Sequence, residues 1–100
     1  MEYLMEFGFT DLDIEDIINY NYEHIIENLV LNQENVKKIV SYLMEIGVLK
    51  ESVKEIFMFQ VGLFLKTIEE IQTSFDEYEM DSIIKSINYD VNNIELIDFI

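Results

Sequence analysis

The sequence predicts an all-α fold, a short stack of three-helix repeats with two full units, a partial third and about seven or eight helices. Two observations support this prediction. A similar phrase occurs at Tyr3–Gly8 and again at Tyr42–Gly47, thirty-nine residues later, each time ending in the glycine that often closes a helix. Apolar residues elsewhere recur at helical spacing, and no segment has the period-two alternation of a half-buried strand.

The repeat extends beyond this phrase. The same offset aligns five further apolar pairs: Ile17 with Ile56, Tyr20 with Phe59, Ile25 with Phe64, Ile26 with Leu65, and Leu29 with Ile68. In an incomplete third copy Asn88 stands where Gly47 stands in the second, so we expect Asn88 to end a helix at positive φ. Repeats of this length are typical of helical units that must stack to bury their apolar faces. We therefore predict one domain, 1–100, with units of about 1–41, 42–82 and 83–100.

The first unit should contain three helices. The first is short and ends at Gly8. Thr10 and Asp13 have the spacing of a capping box that begins the second, and a break at 19–21 precedes the third. The residues expected to face inward are, helix by helix, Leu4 and Phe7 on the first; Ile14, Ile17 and Ile18 on the second; and Tyr22, Ile25, Ile26, Leu29 and Val30 on the third.

The remaining helices follow the same logic. Asn32 is predicted to cap a fourth helix that runs to Ile46, and a fifth follows Gly47. A sixth should cover residues 61–68, and Ser74 with Glu77 should form the capping box of a seventh. Asp90 or Asn92 should cap the last. The expected inward residues are Val36, Ile39, Val40, Leu43 and Ile46; Val53, Ile56 and Phe57; Val61, Phe64, Leu65 and Ile68; Met80, Ile83, Ile84 and Ile87; and Ile94, Ile97 and Ile100.

The composition excludes several classes of protein. The chain has no cysteine, which rules out disulfides, thiolate metal sites and a thiol nucleophile. Its start lacks a basic leader, and Gln60 and Gly62 interrupt the longest apolar run. We therefore expect a cytoplasmic protein that does not enter a membrane.

Charge is the strongest signal for function. The net charge is −15, divided as −9 over residues 1–36, +2 over 37–66 and −8 over 67–100. Solubility alone usually needs a net charge of only ~2 to 8 in magnitude for a small domain. An acidic field repels nucleic acid and attracts basic protein surfaces.

The sequence offers little material for catalysis. His24 is the single histidine, and we expect it to face solvent rather than act as a general base. The three glycines are isolated and cannot form a phosphate-binding loop. The acidic run from Asp11 to Asp16 fails as a calcium loop because Asp16 replaces the required glycine and Tyr22 the final glutamate. We predict no enzyme activity, no metal and no cofactor.

Two acidic clusters are the candidate binding residues. Each is expected to open a helix, where carboxylates favour the positive end of the helix dipole. The clusters are Asp11, Asp13, Glu15 and Asp16, and Asp76, Glu77, Glu79 and Asp81. Met58 and Phe59 are candidates for an apolar contact or for self-association.

The leading hypothesis is a non-enzymatic inhibitor or nucleic-acid mimic of the anti-CRISPR or anti-restriction type. Its carboxylates would imitate a phosphate backbone and occupy a basic surface of a DNA- or RNA-binding enzyme. An adaptor that uses the apolar middle unit is an alternative.

Two families resemble parts of the chain. The pattern of Leu4, Gly8, Ile14, Ile17 and Ile18, repeated as Leu43, Gly47, Val53, Ile56 and Phe57, resembles the mitochondrial transcription termination factor (mTERF) repeats. That resemblance implies a superhelical stack whose concave face binds nucleic acid. In this chain such binding would need a lysine surface made of Lys37, Lys38, Lys50, Lys54 and Lys66. Direct nucleic-acid binding is the less favoured alternative because the surface is acidic.

The first unit is also similar to a ubiquitin-associated domain through the segment 4–9. In that family the equivalent loop contacts the partner. A repeated helix end accounts for the same residues, and we favour that interpretation.

Overall fold

The computed structural model describes residues 1–97, and all regular structure in this part of the chain is helical. The all-α class and the short helical stack are confirmed. The α-helices within residues 1–97 are α1 (Asp11–Tyr20), α2 (Glu23–Leu31), α3 (Gln33–Ile46), α4 (Lys50–Phe59), α5 (Ile68–Asp76) and α6 (Met80–Tyr89). The 3₁₀ helices are η1 (Glu2–Phe7), η2 (Val61–Leu65) and η3 (Val91–Leu96).

The helix ends at Gly8 and Gly47 and the capping box at Thr10 form as predicted. Gly8 follows η1 at a φ of 87°, and Gly47 follows α3 at a φ of 113°. Both values lie in the left-handed region that favours glycine. The Asp13 amide donates to Thr10 Oγ1 at 3.1 Å and the Thr10 amide donates to Asp13 Oδ2 at 3.0 Å, which confirms the capping box.

Helix α3 lies at the centre of the stack. It packs against η1, α2, α4, η2 and α5. Four of the five residues predicted for its inner face, Val36, Ile39, Val40 and Leu43, are fully buried, and Ile46 is partly buried. Helix α3 therefore supplies a central apolar face of the core.

Helices α1 and α4 begin and end thirty-nine residues apart and pack against each other. The aligned residues Tyr20 and Phe59 meet edge to face, with ring centroids 5.2 Å apart. Beneath them the buried Phe57 ring stacks on Phe64 at 3.8 Å and meets Phe9 edge to face at 6.3 Å. These aromatic contacts join α1, α4 and η2 into one core.

The prediction for the sixth helix was wrong. Residues 61–68 form η2 followed by an extended break, and α5 then begins at Ile68. The Thr67 hydroxyl caps α5 by accepting a hydrogen bond from the Glu70 amide at 3.2 Å. Thr67 and Glu70 have the same spacing as Ser74 and Glu77, but Thr67 is the residue that caps a helix.

The capping role of Ser74 was also wrong. Ser74 lies inside α5 and is fully buried, and its hydroxyl has no hydrogen-bond partner within the described residues. Helix α6 instead begins after Glu79, whose carboxylate accepts a hydrogen bond from the Ser82 amide at 2.7 Å. Asp90 caps η3 through the Asn92 amide at 2.9 Å, as predicted.

Two asparagines do not act as predicted. Asn32 stands between α2 and α3, but its side chain donates to the Asn28 carbonyl at 2.9 Å instead of capping α3. Asn88 does not close a helix, since no residue other than glycine has a positive φ in the described chain. It lies within α6, which continues to Tyr89.

Four residues predicted to face inward are exposed: Ile18, Tyr22, Val30 and Leu65. Helix α2 shows the reason, because α3 and η2 pack against the side on which Leu29 is buried. A helix at the outside of a stack can bury only part of a broad apolar face. Ile100 lies outside the described residues.

Candidate acidic binding surface

The first acidic cluster is divided by Lys54 of α4. The Lys54 ammonium lies 2.8 Å from Asp16 Oδ2 and 3.1 Å from Asp13 Oδ1, which ties α4 to α1. The hydrogen bonds to Asp16 and Asp13 raise the pKa of Lys54. The Thr10 backbone hydrogen bond and then the Lys54 hydrogen bond lower the pKa of Asp13. Asp13 and Asp16 therefore have structural partners within the chain.

The other two carboxylates of this cluster are exposed. Asp11 and Glu15 lie one turn apart on α1 and border an open cavity of about 380 Å³. Ile14 and Ile18 supply apolar side chains to the same cavity. Asp11 lies in the first turn of α1, where the helix dipole favours a negative charge.

The second acidic cluster spans the junction between α5 and α6, which differs from the predicted helix start. Asp76 is the last residue of α5 and Glu77 is its C-cap. Both are exposed at the negative end of the helix dipole, where a carboxylate is unfavourable. Asp81 lies in the first turn of α6.

Glu79 has a structural role in this cluster. Its hydrogen bonds to the Ser82 side chain and backbone lower the pKa of the Glu79 carboxyl.

Burial, followed by the charges of Asp76 and Glu45, raises the pKa of Tyr42. Asp76 thus lies near α3 as well as at the end of α5.

The two clusters lie on elements that pack in different places. Helix α1 packs against η1 and α4, whereas α5 packs against α3 and α6. Within residues 1–97, no three histidine, aspartate or glutamate side chains converge closely enough to hold a metal ion. The exposed members are Asp11, Glu15, Asp76, Glu77 and Asp81.

Three lysines contact groups of neighbouring elements. Lys54 binds Asp13 and Asp16, Lys50 donates to the Gly8 carbonyl at 3.2 Å, and Lys37 lies 3.4 Å from Glu6. Lys37 also lines an open cavity together with the exposed Lys38. The contacts between elements were not foreseen, because each pair joins residues more than thirty positions apart.

The apolar candidates differ from each other. Phe59 is half exposed and its ring packs against Tyr20, whereas Met58 is partly buried against the core. His24 is exposed, as predicted, and its ring stacks on Tyr22 at a centroid distance of 5.9 Å.

A larger apolar surface lies on α2, where the sequence predicted an inward face. It consists of Ile26, Val30 and Leu31, with Glu23 and Glu27 beside them. None of the helices in residues 1–97 has the length and apolar character needed to cross a bilayer.

Comparison of the chain with protein-family models, curated proteins and solved structures finds no match. The resemblances to mTERF repeats and to the ubiquitin-associated domain stay predictions.

Proposed function

We propose that this protein is a non-enzymatic inhibitor that occupies a basic surface of a nucleic-acid-processing enzyme, in the manner of anti-CRISPR and anti-restriction proteins. The observation that carries the proposal is the placement of Asp76 and Glu77. Both carboxylates are exposed at the end of α5, where the helix dipole opposes them. If these charges served only solubility, the fold would be more stable with them placed away from this helix end.

The lysines support the same proposal. Lys37 and Lys54 pair with carboxylates of the chain and Lys50 contacts the Gly8 carbonyl, so these three lysines already have partners within the chain. The net charge of −15 is then presented by exposed acidic residues that include Asp11, Glu15, Asp76, Glu77 and Asp81. Such a field accelerates encounter with a basic surface.

The alternative of mTERF-like nucleic-acid binding has less support. It needs lysines free to contact phosphates, and the contacts of Lys37, Lys50 and Lys54 would have to break first. A gel-shift titration with duplex DNA and with RNA distinguishes the two functions. A salt-sensitive shift by the protein alone would favour the alternative.

The test of the proposal starts from affinity capture in a bacterial lysate and continues with each purified nucleic-acid enzyme that is captured. We expect binding that weakens as salt rises and that competes with the enzyme's own DNA or RNA. Asp76→Asn, Glu77→Gln and Asp81→Asn together should weaken this binding. Glu79 is left unchanged because it caps α6.

The matched control removes the same charge from exposed positions outside both clusters: Glu51→Gln, Glu55→Gln and Glu69→Gln. A second variant, Asp11→Asn with Glu15→Gln, tests the first cluster. The proposal is overturned if neither cluster variant binds more weakly than the control, or if binding is indifferent to salt and to competing nucleic acid.

A further inference from the structure

Helix α2 has two apolar sides, and the fold covers one of them. Leu29 is fully buried on the side that meets α3 and η2. On the outer side Leu31 is 80% exposed and Val30 is 40% exposed. Ile26 lies one turn before Val30 and is partly buried. Ile26 and Val30 are neighbours four residues apart and form an apolar strip, whereas Leu31 projects about 100° further round the helix than Val30.

The strip and Leu31 line an open cavity of about 530 Å³. Glu23 and Glu27 complete its lining, lie four residues apart and stand between the strip and Leu31. Among the described residues that line this cavity there is no lysine or arginine. The cavity thus combines three apolar side chains with two exposed carboxylates.

The charge decides which occupant fits this surface. A second copy of the chain would bring two pairs of glutamates together and join two bodies of charge −15. A neutral helix would cover the glutamates without pairing them, which is costly for buried charges. A helix that carries lysine or arginine beside its apolar residues satisfies both parts of the surface.

We propose that the outer face of α2, formed by Ile26 and Val30 on one side of Glu23 and Glu27 and by Leu31 on the other, docks a basic amphipathic helix of the partner protein. The positive charge of that helix is argued from the two glutamates, and its placement on the inhibited enzyme rests on the proposed function. The acidic clusters would then guide encounter, and α2 would supply the apolar contact that slows dissociation.

The experiment uses a synthetic amphipathic helix of leucine and lysine as the probe, titrated into the isotopically labelled full-length protein. We expect NMR shift changes concentrated in residues 22–32. Val30→Gln with Leu31→Gln should weaken binding roughly tenfold or more, because two apolar side chains lose their buried contact. The matched control is Leu12→Gln, which changes a 65% exposed leucine on α1. Circular dichroism confirms that each variant stays folded.

Charge specificity is tested with a second peptide in which glutamate replaces lysine. This acidic peptide should not bind, and Glu23→Gln with Glu27→Gln should weaken binding of the basic one. The proposal is overturned if the peptides bind equally, if neither binds, or if the α2 variants bind the basic peptide as the wild type does. Sedimentation equilibrium that shows a dimer dispersed by the Val30 and Leu31 changes would assign the surface to a second copy instead.

The proposed function is tested separately by the cluster variants. If the basic peptide binds through Asp76, Glu77 and Asp81 and not through α2, the docking proposal fails while the acidic binding function stands. If α2 binds the peptide but no captured enzyme responds to salt or to the cluster variants, the proposed function fails while the docking surface stands.

Discussion

The side-chain amide of Asn88 donates a hydrogen bond to the Gly47 carbonyl at 3.1 Å, and its oxygen accepts one from the Leu49 amide at 3.0 Å. The repeat alignment placed Asn88 as the equivalent of Gly47, yet Asn88 lies in α6 and contacts that glycine. A similar contact occurs at the first helix-ending glycine, where Lys50 of α4 donates to the Gly8 carbonyl at 3.2 Å. Each glycine that ends a helix is thus held by a side chain that follows about forty residues later.

The Asn88 bridge should contribute measurably to stability. Asn88→Ala removes both hydrogen bonds to the turn between α3 and α4. It should lower the free energy of unfolding by about 1 kcal/mol, because a hydrogen bond contributes ~0.5 to 1.5 kcal/mol and both of these are exposed to solvent. Urea denaturation measures the change. Asn19→Ala, at an exposed position in α1, is the control and should be neutral or slightly stabilising. Equal stability of both variants would contradict a structural role for Asn88.

The three glycines should respond differently to alanine. Gly47→Ala should cost about 1 to 2 kcal/mol, because its φ of 113° disfavours a side chain. The added Cβ would also lie 3.4 Å from Ile84 Cγ2. Gly8→Ala, at a φ of 87°, should cost less because its nearest contact is the flexible Lys50 chain at 3.7 Å.

Gly62 is the matched control for that series. It lies in η2 without a positive φ, and an added Cβ would meet nothing within 4 Å. Gly62→Ala should therefore stabilise the fold by ~0.4 to 1 kcal/mol through a less flexible unfolded chain. Thermal denaturation of the three variants gives the order, and a Gly47→Ala variant as stable as the wild type would contradict it.

The Lys54 ion pairs should give a pH-dependent stability. Lys54→Met should cost about 1 kcal/mol near neutral pH, as expected for partly exposed pairs. The pKa of Asp13 is held below its ordinary 3.8 in the folded state, so its contribution is present above that pH and is lost as the pH falls through the lower value.

The stability gap between wild type and Lys54→Met should therefore narrow below pH 3.8, as measured by urea denaturation at a series of pH values. Lys38→Met removes the same charge from an exposed position on α3 and serves as the control. If the stability difference between wild type and Lys54→Met stays constant until the protein unfolds in acid, the ion pair between Lys54 and Asp13 does not contribute as proposed.

Tyr3 should make stability sensitive to alkaline pH. Its hydroxyl donates to the Leu29 carbonyl at 2.9 Å, and burial raises the pKa of Tyr3 from 10.0 to about 12. The folded state keeps this proton longer than the unfolded state, so the contribution is complete below pH 10 and is lost as the pH approaches 12.

Tyr3→Phe should cost about 1 kcal/mol at neutral pH through the lost hydrogen bond. Its stability gap to the wild type should then shrink between pH 10 and 12. Tyr89→Phe changes a tyrosine that is 90% exposed and should leave neutral-pH stability unchanged. A Tyr3→Phe gap that widens with alkaline pH would overturn the prediction.

Ser74 should be a position where a simple change stabilises the protein. Its hydroxyl is fully buried in α5 and has no partner among the described groups. Ser74→Ala removes this unsatisfied group and improves helix propensity, so it should raise the free energy of unfolding by about 1 kcal/mol. Thermal denaturation measures the change. The control is Thr73→Ala, which changes the adjacent exposed position and isolates the propensity effect. A Ser74→Ala variant less stable than wild type would reveal a hydrogen bond to the hydroxyl.

The binding residues could be predicted only in part. The acidic clusters stand out in the sequence, yet their division into structural and exposed members depends on Lys54 and on the α6 cap at Glu79. The exposed surface of α2 could not be predicted from the sequence, because Leu29 and Val30 are both apolar and both fit the predicted inward face of the helix. Only the positions of α3 and η2 show that Leu29 is covered and Val30 is exposed.

The sequence by itself determined the helical class, the ends at Gly8 and Gly47, the Thr10 capping box and the buried face of α3. These features depend on residues within one or two turns of one another, so short-range spacing and backbone preference suffice to predict them. The tertiary structure alone decided that Lys54 holds Asp13 and Asp16, that Asn88 bridges to Gly47, and that the outer face of α2 stays uncovered. Such contacts join distant parts of the chain, and the packing of whole helices fixes which side chains meet.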